Sequence, residues 1–332
     1  MASKTKLARL FGQPARRDFD ESPDTYGSVW SRGDDMRAVV FGGAGFLGSF
    51  VADALTAAGH DAVIYDKIAS PYRQPNQKQI IGDILDEKTV RDSVYGADVV
   101  YNFAGIADIA AASVNPIETV RTNTLGNTIL LEASRQAKIR RFVFASTLYV
   151  YSQSGAFYRS SKQACELIIE DYQRAFGLPY TILRYGSLYG PRSNETNWIY
   201  SILKQCIQES RIIRYGDGEE IREYIHVWDA AQSSVEILAT EFENANVIIT
   251  GQQTLRVKDL LMMINEMLGN RIKLEYRPAV KNASGVNSDL HYQITPYHFN
   301  PRIARKLVRN TYVDLGQGLL DLINQIHQEE RL

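Results

Sequence analysis

The feature that most restricts the fold of this chain is a glycine-rich segment between an apolar run and a helical one. Arg37–Phe41 has the continuous apolar character of a buried parallel strand, and Phe46–Ala58 has helical periodicity. Gly42 and Gly45 stand between these runs, and Gly48 is the third residue of the helical one. Such glycines permit a tight turn, a close backbone approach to a pyrophosphate and close helix–strand packing, and the helix start attracts phosphate. The segment predicts a dinucleotide site contacted by these three glycines.

Apolar runs and helical segments then alternate along the chain, with short connections. The predicted strands are Arg37–Phe41, Asp61–Asp66, Gln79–Ile84, Asp98–Phe103, Arg141–Ser146 and Tyr180–Arg184. The helices predicted after the first are Asp86–Tyr95, Asn115–Ala137 and Tyr158–Phe176. This order predicts an α/β fold with a doubly wound parallel Rossmann sheet over residues 37–190.

Beyond Gly190 the alternation loosens, and polar loops appear. We expect residues 191–332 to form mainly a substrate-binding lobe that is partly interleaved with the sheet. Its predicted helices are Asn197–Glu209, Val227–Thr240, Val257–Leu268 and Leu315–His327. Residues 1–36 carry mixed charges without the apolar core of a secretory signal, so they predict an N-terminal extension that is either a disordered tail or is held by a neighbouring subunit.

Composition narrows the function classes. The formal net charge is −1, which predicts no nucleic-acid partner, and no apolar stretch is long enough to span a bilayer. Cys165 and Cys206 lie among apolar neighbours, which indicates buried, reduced thiols and fits a cytoplasmic protein. The five histidines lack ligand spacing, so no metal site is predicted.

Two acidic residues follow predicted strands near the dinucleotide motif. Asp66 ends the second strand, 18 residues after Gly48, where a carboxylate accepts hydrogen bonds from both adenosine ribose hydroxyls and repels a 2′-phosphate. Asp66 therefore favours NAD over NADP, although Lys67 follows it. Asp83 closes the third strand and is interpreted either as a contact of the adenine amine or as a simple turn residue.

A candidate proton-transfer pair begins the helix after the fifth strand. Tyr158 and Lys162 are four residues apart, so their side chains share one helix face. A nearby ammonium group and an oxidised nicotinamide both lower a phenol pKa from its usual value of about 10. Ser146 and Thr147 end the fifth strand, where ligands of open α/β sheets bind, so a hydroxyl there can reach the reacting oxygen.

From Arg37 to about Ile323 the ordered motifs strongly resemble the extended short-chain dehydrogenase/reductase family of NAD-dependent nucleotide-sugar epimerases and dehydratases. The matching segments are Gly42-Gly-Ala-Gly-Phe-Leu-Gly48, Asp98-Val-Val-Tyr-Asn-Phe-Ala-Gly105, Asn123-Thr-Leu-Gly126, Ser146-Thr-Leu-Tyr-Val-Tyr151, Tyr158-Arg-Ser-Ser-Lys162, Leu183-Arg-Tyr-Gly-Ser-Leu-Tyr-Gly-Pro-Arg192 and the run from Gly216 to Asp229.

The resemblance implies roles for individual residues. Thr147, Tyr158 and Lys162 match the catalytic Ser/Thr, Tyr and Lys, and Lys162 is implied to touch the nicotinamide ribose. The implied cofactor contacts are Gly42, Gly45, Phe46, Leu47, Gly48, Asp66, Asp83, Ile84, Phe103, Ala104, Gly105, Asn123, Tyr158, Lys162 and Tyr185. The implied contacts of a nucleotide-diphosphate sugar are Ser146, Thr147, Ser187, Arg192 and Arg222, with Arg222 on the diphosphate.

Several departures from the family pattern are informative. Leu148 and Tyr149 stand where similar 4,6-dehydratases carry an Asp-Glu pair, so water elimination lacks its acid and base. Tyr158 follows Thr147 by only 11 positions, which predicts a more open sugar pocket or one filled by aromatic side chains. Ser187 replaces an Asn of several relatives, and no second family arginine is found within 281–297.

These observations predict an NAD-dependent nucleotide-sugar epimerase, acting at C4 through a transient 4-keto sugar with Tyr158 as base. A nucleotide-sugar decarboxylase, a 4-keto reductase or a 3,5-epimerase on the same site remain alternatives. A non-catalytic dinucleotide sensor is a more remote alternative, because the Tyr/Lys pair is present. The resemblance also implies a homodimer through the helices over 116–137 and 158–176.

Overall fold

A parallel sheet of eight strands forms the centre of the computed structural model, which describes residues 35–278 and 302–330. The strands in chain order are β1 Arg37–Phe41, β2 Asp61–Asp66, β3 Lys78–Ile81, β4 Val99–Asn102, β5 Arg141–Thr147, β6 Tyr180–Tyr185, β7 Ser187–Tyr189, β8 Arg211–Tyr215, β9 Ile221–His226, β10 Ala245–Ile249, β11 Thr254–Arg256, β12 Lys273–Arg277 and β13 Arg305–Lys306. The large sheet has the order β13-β10-β6-β5-β4-β1-β2-β3, and its neighbours all pair in parallel.

The helices cover this sheet on both faces. They are α1 Phe46–Ala57, α2 Glu87–Val94, α3 Ile109–Val114, α4 Pro116–Thr119, α5 Gly126–Ala137, α6 Ala156–Phe176, α7 Trp198–Glu209, α8 Val227–Glu236, α9 Val257–Met267 and α10 Leu315–Glu329. A π-helical segment, Val120–Leu125, joins α4 to α5, and short 3-10 turns occupy Leu148–Tyr151 and Thr240–Phe242.

Alternation along the strands explains the two layers. In β1, Ala38 and Val40 pack into a core with α1 and α8, whereas Val39 and Phe41 pack into a second core with α2, α5 and α6. Because successive strand residues point to opposite faces, a continuous apolar run buries both sides of the strand. This architecture confirms the predicted doubly wound parallel α/β fold.

A third core lies outside the large sheet. It joins α7, α9 and α10 with two small sheets, of order β11-β9-β7 and β12-β8. Strands β10 and β13, from this later part of the chain, return to pair at the edge of the large sheet beside β6. Strands from the segment after residue 190 thus extend the large sheet, and the assignment of that segment as a substrate-binding lobe stays a prediction.

The predicted helix Asn115–Ala137 is helical throughout, with Asn115 as its N-cap, but its hydrogen bonding is not uniform. A wide π-helical stretch joins α4 to α5 without a gap, and the side chain of Asn123 in this stretch is hydrogen-bonded to Ile106 in the loop after β4. The short helix α3 was not predicted. Residues 1–34 of the predicted extension, and the segment 281–297 searched for an arginine, lie outside the described residues.

Candidate active site

The loop between β1 and α1 is shaped by glycines that no other residue can replace without a collision. Gly42 adopts φ +77°, and a Cβ placed there would approach the carbonyl carbon of Phe103 to 2.7 Å. A Cβ on Gly48 would collide with the carbonyl oxygen of Gly42. The loop is also held by a hydrogen bond from the Gly42 N–H to the Tyr65 carbonyl at 2.9 Å. These contacts fix a tight cradle of backbone at the carboxyl edge of the sheet.

The first turn of α1 faces this cradle with free backbone donors. Gly45 occupies the N-cap and offers no side-chain acceptor, so the first N–H groups of the helix have no capping partner there. Such a helix start attracts phosphate through its N–H groups and its dipole. Phe46 and Leu47 are half-buried in this turn and Gly48 is buried. The cradle therefore suits the pyrophosphate of a dinucleotide.

A cleft of about 370 Å³ extends from the glycine loop across the ends of β1, β2 and β4. Seven of the predicted cofactor contacts line it: Gly42, Gly45, Asp66, Ile84, Phe103, Ala104 and Gly105. The lining residues that sequence reasoning missed are Tyr65, Lys67, Gly82, Ile106, Glu118 and Thr122. Glu118 and Thr122 come from α4 and the π-helical segment and lie within the helix predicted over Asn115–Ala137.

The two candidate adenosine-binding acids have different surroundings. Asp66 accepts a hydrogen bond from the Ala44 N–H at 3.0 Å and lines the cleft. Asp83 accepts from the Leu85 N–H at 2.9 Å and pairs with Lys67 at 3.1 Å. Burial raises the pKa of Asp83, but these two contacts outweigh it and leave the pKa below its usual value. Lys67 is thus engaged by Asp83 rather than lying free beside Asp66.

Asn123 holds the loop that follows β4. Its amide oxygen accepts from the Ile106 N–H at 2.7 Å, and its amide nitrogen donates to the Ile106 carbonyl and to Ser161, both at 3.0 Å. Gly105 lies against this amide, with φ +150° and no room for a Cβ. Asn123 therefore shapes the cofactor cleft by fixing one of its walls, and a direct cofactor contact stays a prediction.

The predicted triad comes together where β5 meets the start of α6. Thr147 ends β5 and is hydrogen-bonded through its side chain to Tyr158 in the first turns of α6. The Lys162 ammonium lies 5.9 Å from the centre of the Tyr158 ring and donates to the Ala145 carbonyl at 2.7 Å. The three side chains thus form one cluster at the carboxyl edge of the sheet.

Burial governs the protonation of this cluster. It raises the pKa of Tyr158 to about 12, with the Thr147 hydrogen bond acting in the opposite direction. Burial also lowers the pKa of Lys162 to about 8, while the thiol of Cys165 and the carboxylate of Glu166 oppose that shift. Each group is therefore pushed towards its neutral form, and bringing the Tyr158 pKa down to a working value requires an added positive charge nearby.

The end of β5 is also tied to a buried ion pair that was not predicted. Ser146 donates to Glu166 at 2.5 Å, and Arg184 of β6 binds both oxygens of that carboxylate at 3.0 and 2.7 Å. Ser146 is buried and already hydrogen-bonded, so its predicted substrate contact would compete with Glu166. The available sequence signal was spacing, because Glu166 stands four residues after Lys162.

The side chain of Tyr185 points into the core. Its hydroxyl shares a 2.6 Å hydrogen bond with Ser234 of α8, and the residue is buried. Burial raises its pKa far above the usual value. Any cofactor contact at this position would therefore come from the backbone at the end of β6.

The predicted substrate-binding residues of the later segment are separated. Ser187 begins β7 and is half-buried, and Arg222 is buried in β9, which pairs in parallel with β7. Arg192 instead pairs with Asp53 of α1 at 2.7 Å and lies between the rings of Phe50 and Tyr72. The guanidinium of Arg192 is thus engaged in a contact with α1, and its role in substrate binding stays a prediction.

Aromatic side chains stand beside the triad where an acid and a base were sought. Leu148 is buried, and the Tyr149 ring lies edge-on to the Tyr158 ring with 6.3 Å between centroids. The short link to α6 turns through Gly155 and Ala156, which have φ values of +95° and +44°. Phe157 is exposed next to Tyr158.

Within residues 35–278 and 302–330, no group of three His, Cys, Asp or Glu side chains is arranged to hold a metal ion. None of the helices there is both long enough and apolar enough to cross a membrane.

The fold and the site define a dinucleotide-binding enzyme with a short-chain-dehydrogenase-type Thr-Tyr-Lys cluster. The chain belongs to the NAD dependent epimerase/dehydratase family, whose pattern matches residues 38–249. It is therefore an NAD-dependent enzyme of the extended short-chain dehydrogenase/reductase type, as the motifs implied.

Individual relatives cover most of the chain at modest identity. A UDP-N-acetyl-alpha-D-glucosaminuronate decarboxylase of Bacillus cytotoxicus is 27% identical over 74% of this chain and 84% of its own. The solved UDP-glucose 4-epimerase of Thermotoga maritima superposes with a TM-score of 0.73 at 24% identity, covering 89% of this chain and 100% of the epimerase. A UDP-glucuronic acid 4-epimerase of Bacillus cereus, solved with UDP-glucuronic acid and NAD, gives 0.71 at 23% identity over 89% and 100%. These structures share the fold.

Proposed function

We propose that this enzyme epimerises a nucleotide-diphosphate sugar at C4 through a transient 4-keto sugar. The observation that carries the proposal is the cluster of Thr147, Tyr158 and Lys162 at the carboxyl end of β5. A cluster with one phenol, one hydroxyl and one ammonium can move a proton to and from a sugar alcohol. It offers no other strong acid or base at positions 148 and 149.

Tyr158 is the proposed base for the sugar 4-hydroxyl, and Thr147 shares a hydrogen bond with the phenol and orients it. Lys162, held by the Ala145 carbonyl, lies beside the phenol, and an oxidised nicotinamide bound there would add the positive charge that lowers the pKa of Tyr158. Bound NAD supplies the reversible oxidation at C4. After the sugar presents its other face, the hydride taken from C4 would return to C4 on that face and Tyr158 would return the proton to O4, which completes an epimerisation without net redox change.

The residues proposed to hold the dinucleotide are those whose surroundings fit its parts. The loop from Gly42 to Gly48 suits the pyrophosphate, because the backbone there packs so closely that a Cβ at either glycine would collide with it and displace the loop. Asp66 suits the adenosine ribose, and Ile84 with Phe103–Gly105 line the remainder of the cleft. Lys162 is proposed to reach the nicotinamide ribose. The Asp83 carboxylate is already bound to Leu85 and Lys67, so an adenine amine would have to compete with these two contacts.

Arg222 and Ser187 are the proposed contacts of the substrate diphosphate, because they lie on paired strands of the smaller sheet. A guanidinium is suited to two phosphates through its fork of donors. Tyr149 and Phe157 are proposed to border the sugar pocket.

Decarboxylation is the second candidate, because one of the relatives is a decarboxylase. The match to this chain spans 84% of that decarboxylase. A 4-keto sugar next to a C5 carboxylate loses carbon dioxide without a further strong acid, so the same triad serves that reaction. Dehydration is disfavoured by the buried Leu148 and by Tyr149.

The decisive experiment incubates the purified enzyme with UDP-, GDP-, CDP- and dTDP-linked hexoses and uronic acids and follows the anomeric protons by NMR. Epimerisation gives two C4 epimers at a constant total of sugar, with no consumption of added NAD. A pentose product with released carbon dioxide would replace this function by decarboxylation. Stoichiometric loss of added NADH or NADPH would replace it by 4-keto reduction.

We also propose that the enzyme is a homodimer through the face formed by α4, the π-helical segment and α6. This face exposes apolar side chains at Ile117, Val120, Leu125 and Leu167. Leu167→Asp is expected to halve the molar mass measured by light scattering. The matched change Leu320→Asp, on the exposed side of α10, should leave the mass unchanged. A molar mass of one chain for the wild type and for both variants would refute the dimer.

A further inference from the structure

The face of α6 that carries Tyr158 and Lys162 continues one turn further to Glu166, and we propose that Glu166 is a positioning residue for this triad. Residues four apart share a helix face, so 158, 162 and 166 form one row. The proposal deepens the proposed function, on which its activity readout rests.

The row contacts three successive residues at the end of β5. Lys162 donates to the Ala145 carbonyl at 2.7 Å, Glu166 accepts from the Ser146 hydroxyl at 2.5 Å, and Tyr158 is hydrogen-bonded to Thr147. Glu166 therefore fixes the residue that lies between the anchor of Lys162 and the partner of Tyr158. A shift of Ser146 would move both neighbours, because the three residues are joined by rigid peptide units.

Glu166 is itself held rigidly from the next strand. Arg184 binds its two oxygens in a fork, and the same guanidinium donates to the Tyr151 hydroxyl and to the Arg302 carbonyl. Glu166 is 5% exposed and Arg184 is 1% exposed. A buried ion pair contributes little net stability, but the bidentate geometry restricts the carboxylate to one orientation. The ion pair thus connects Arg184 of β6, through Glu166, to Ser146 at the end of β5.

The carboxylate also acts on the charge of Lys162. Burial favours the neutral amine, and Glu166, together with the thiol of Cys165, favours the charged form. The titratable and charged groups that surround this pair are Tyr158, Cys165 and Glu170 of α6, Tyr151 of the 3-10 turn, Arg184 of β6 and Arg302. Glu166 is the carboxylate of this set that is hydrogen-bonded to the catalytic strand.

The chain offers a matched control one turn further along α6. Glu170 is 4% exposed and also carries a buried carboxylate. It pairs with Arg302 at 2.8 Å and with Arg174 at 3.2 Å, instead of with β5. Substituting Glu170 removes a similar charge from the same helix without breaking the Ser146 hydrogen bond.

The test compares Glu166→Gln with Glu170→Gln, each with NAD bound and at a temperature below both melting transitions. Loss of a charged hydrogen bond at the triad is expected to lower the kcat of Glu166→Gln about tenfold or more, with KM nearly unchanged. The basic limb of its pH–rate profile should move to lower pH, because Lys162 loses a neighbouring negative charge. Glu170→Gln should keep both the kcat of the wild type and the position of the basic limb of its pH–rate profile. Equal effects in the two variants would overturn the proposal.

A gentler variant covers the case in which Glu166→Gln does not fold. Ser146→Ala keeps the Glu166–Arg184 pair and removes only the link to β5, so kcat should fall severalfold with an unchanged KM. A raised KM with an unchanged kcat would make Ser146 a substrate contact and overturn the positioning role. Hydrogen exchange of residues 142–151 supplies a readout independent of turnover. Faster exchange in Ser146→Ala but not in Glu170→Gln supports the proposal, and equal exchange opposes it, even if the wild type fails to epimerise any sugar.

Discussion

At the glycine loop the cofactor cleft is shaped by the absence of side chains, whereas two strands away the triad is shaped by side chains that are buried and mutually bonded. Gly42 and Gly48 leave room only for backbone, so the loop is defined by its own carbonyl and N–H groups. Thr147, Tyr158 and Lys162 depend instead on hydrogen bonds and charges whose strength varies with protonation. In the proposed function, the first region binds the dinucleotide through its backbone, and the second region carries out the proton transfer.

This difference predicts that the two regions fail differently. Added volume should disable the cofactor cleft, together with some of the stability, because neighbouring backbone cannot move away. Removal of a single polar atom should disable the triad while the fold and the cofactor site persist. Substitutions that change one region without the other therefore test whether binding and chemistry are separate properties of this enzyme.

The largest expected effect is on chemistry alone. Tyr158→Phe removes the proposed base, so kcat should fall by about 10²- to 10⁴-fold, the usual range for a lost general base. NAD should remain bound and the melting temperature should change little, because the ring still fills its place. Retained NAD is measured after denaturing the purified variant. Near-normal turnover would show that Tyr158 is not the base, and the triad would then not differ from the cofactor cleft in the proposed way.

The next effect is on binding. Gly48→Ala places a methyl group against the Gly42 carbonyl, so the variant should lose NAD and unfold at a lower temperature. Gly59→Ala is its control at the other end of α1, where φ is +89° but nothing lies within 4 Å of the added Cβ. The control should cost only about 1 kcal/mol of stability and keep NAD. Equal loss of NAD in both variants would contradict a cradle made by close backbone contacts.

A smaller change should alter which cofactor binds. Asp66→Asn keeps an acceptor for the Ala44 N–H but removes the charge that repels a 2′-phosphate. The affinity for NADP relative to NAD should rise about tenfold, or roughly 1.4 kcal/mol. Titration calorimetry with both dinucleotides measures the ratio, and Asp86→Asn, at the exposed N-cap of α2, serves as the control. An unchanged ratio would show that Asp66 does not face the ribose.

The smallest effect concerns stability at alkaline pH. The folded pKa of Lys162 is lowered to about 8 from 10.5, so between these values the unfolded chain binds the extra proton. The free energy of unfolding should therefore gain a contribution that rises with pH over this window, and Lys162→Met should lack it. Tyr158, with its pKa raised to about 12, acts in the opposite direction only above a pH of about 10.

Urea denaturation of NAD-free protein from about pH 8 to 10 measures this contribution as the difference between wild type and variant. Lys88→Met, which removes an exposed lysine of α2, should show no such pH dependence. A constant difference between wild type and Lys162→Met would mean that Lys162 keeps its charge in the fold.

Local patterns in the sequence determined the architecture of the sheet. The apolar runs at β1, β2, β5 and β6 are each buried on both faces, and the glycine spacing places a tight loop directly after the first of them. Such features depend on a few neighbouring residues and on steric rules that hold in any context. Tyr158 and Lys162 were found for the same reason, since four-residue spacing on a helix fixes their common face.

Contacts between distant segments were decided only by the tertiary structure. Neither the π-helical hydrogen bonding inside the helix predicted over Asn115–Ala137 nor the contact of Asn123 with Ile106 could be predicted from local periodicity. Arg192 could not be placed against Asp53 from its own neighbourhood, because 139 residues separate them. Glu166 acquires its significance from Ser146 and Arg184, which reach it from two strands. Sequence periodicity reports which face of an element is buried, but the partner on that face is set by how the elements pack together.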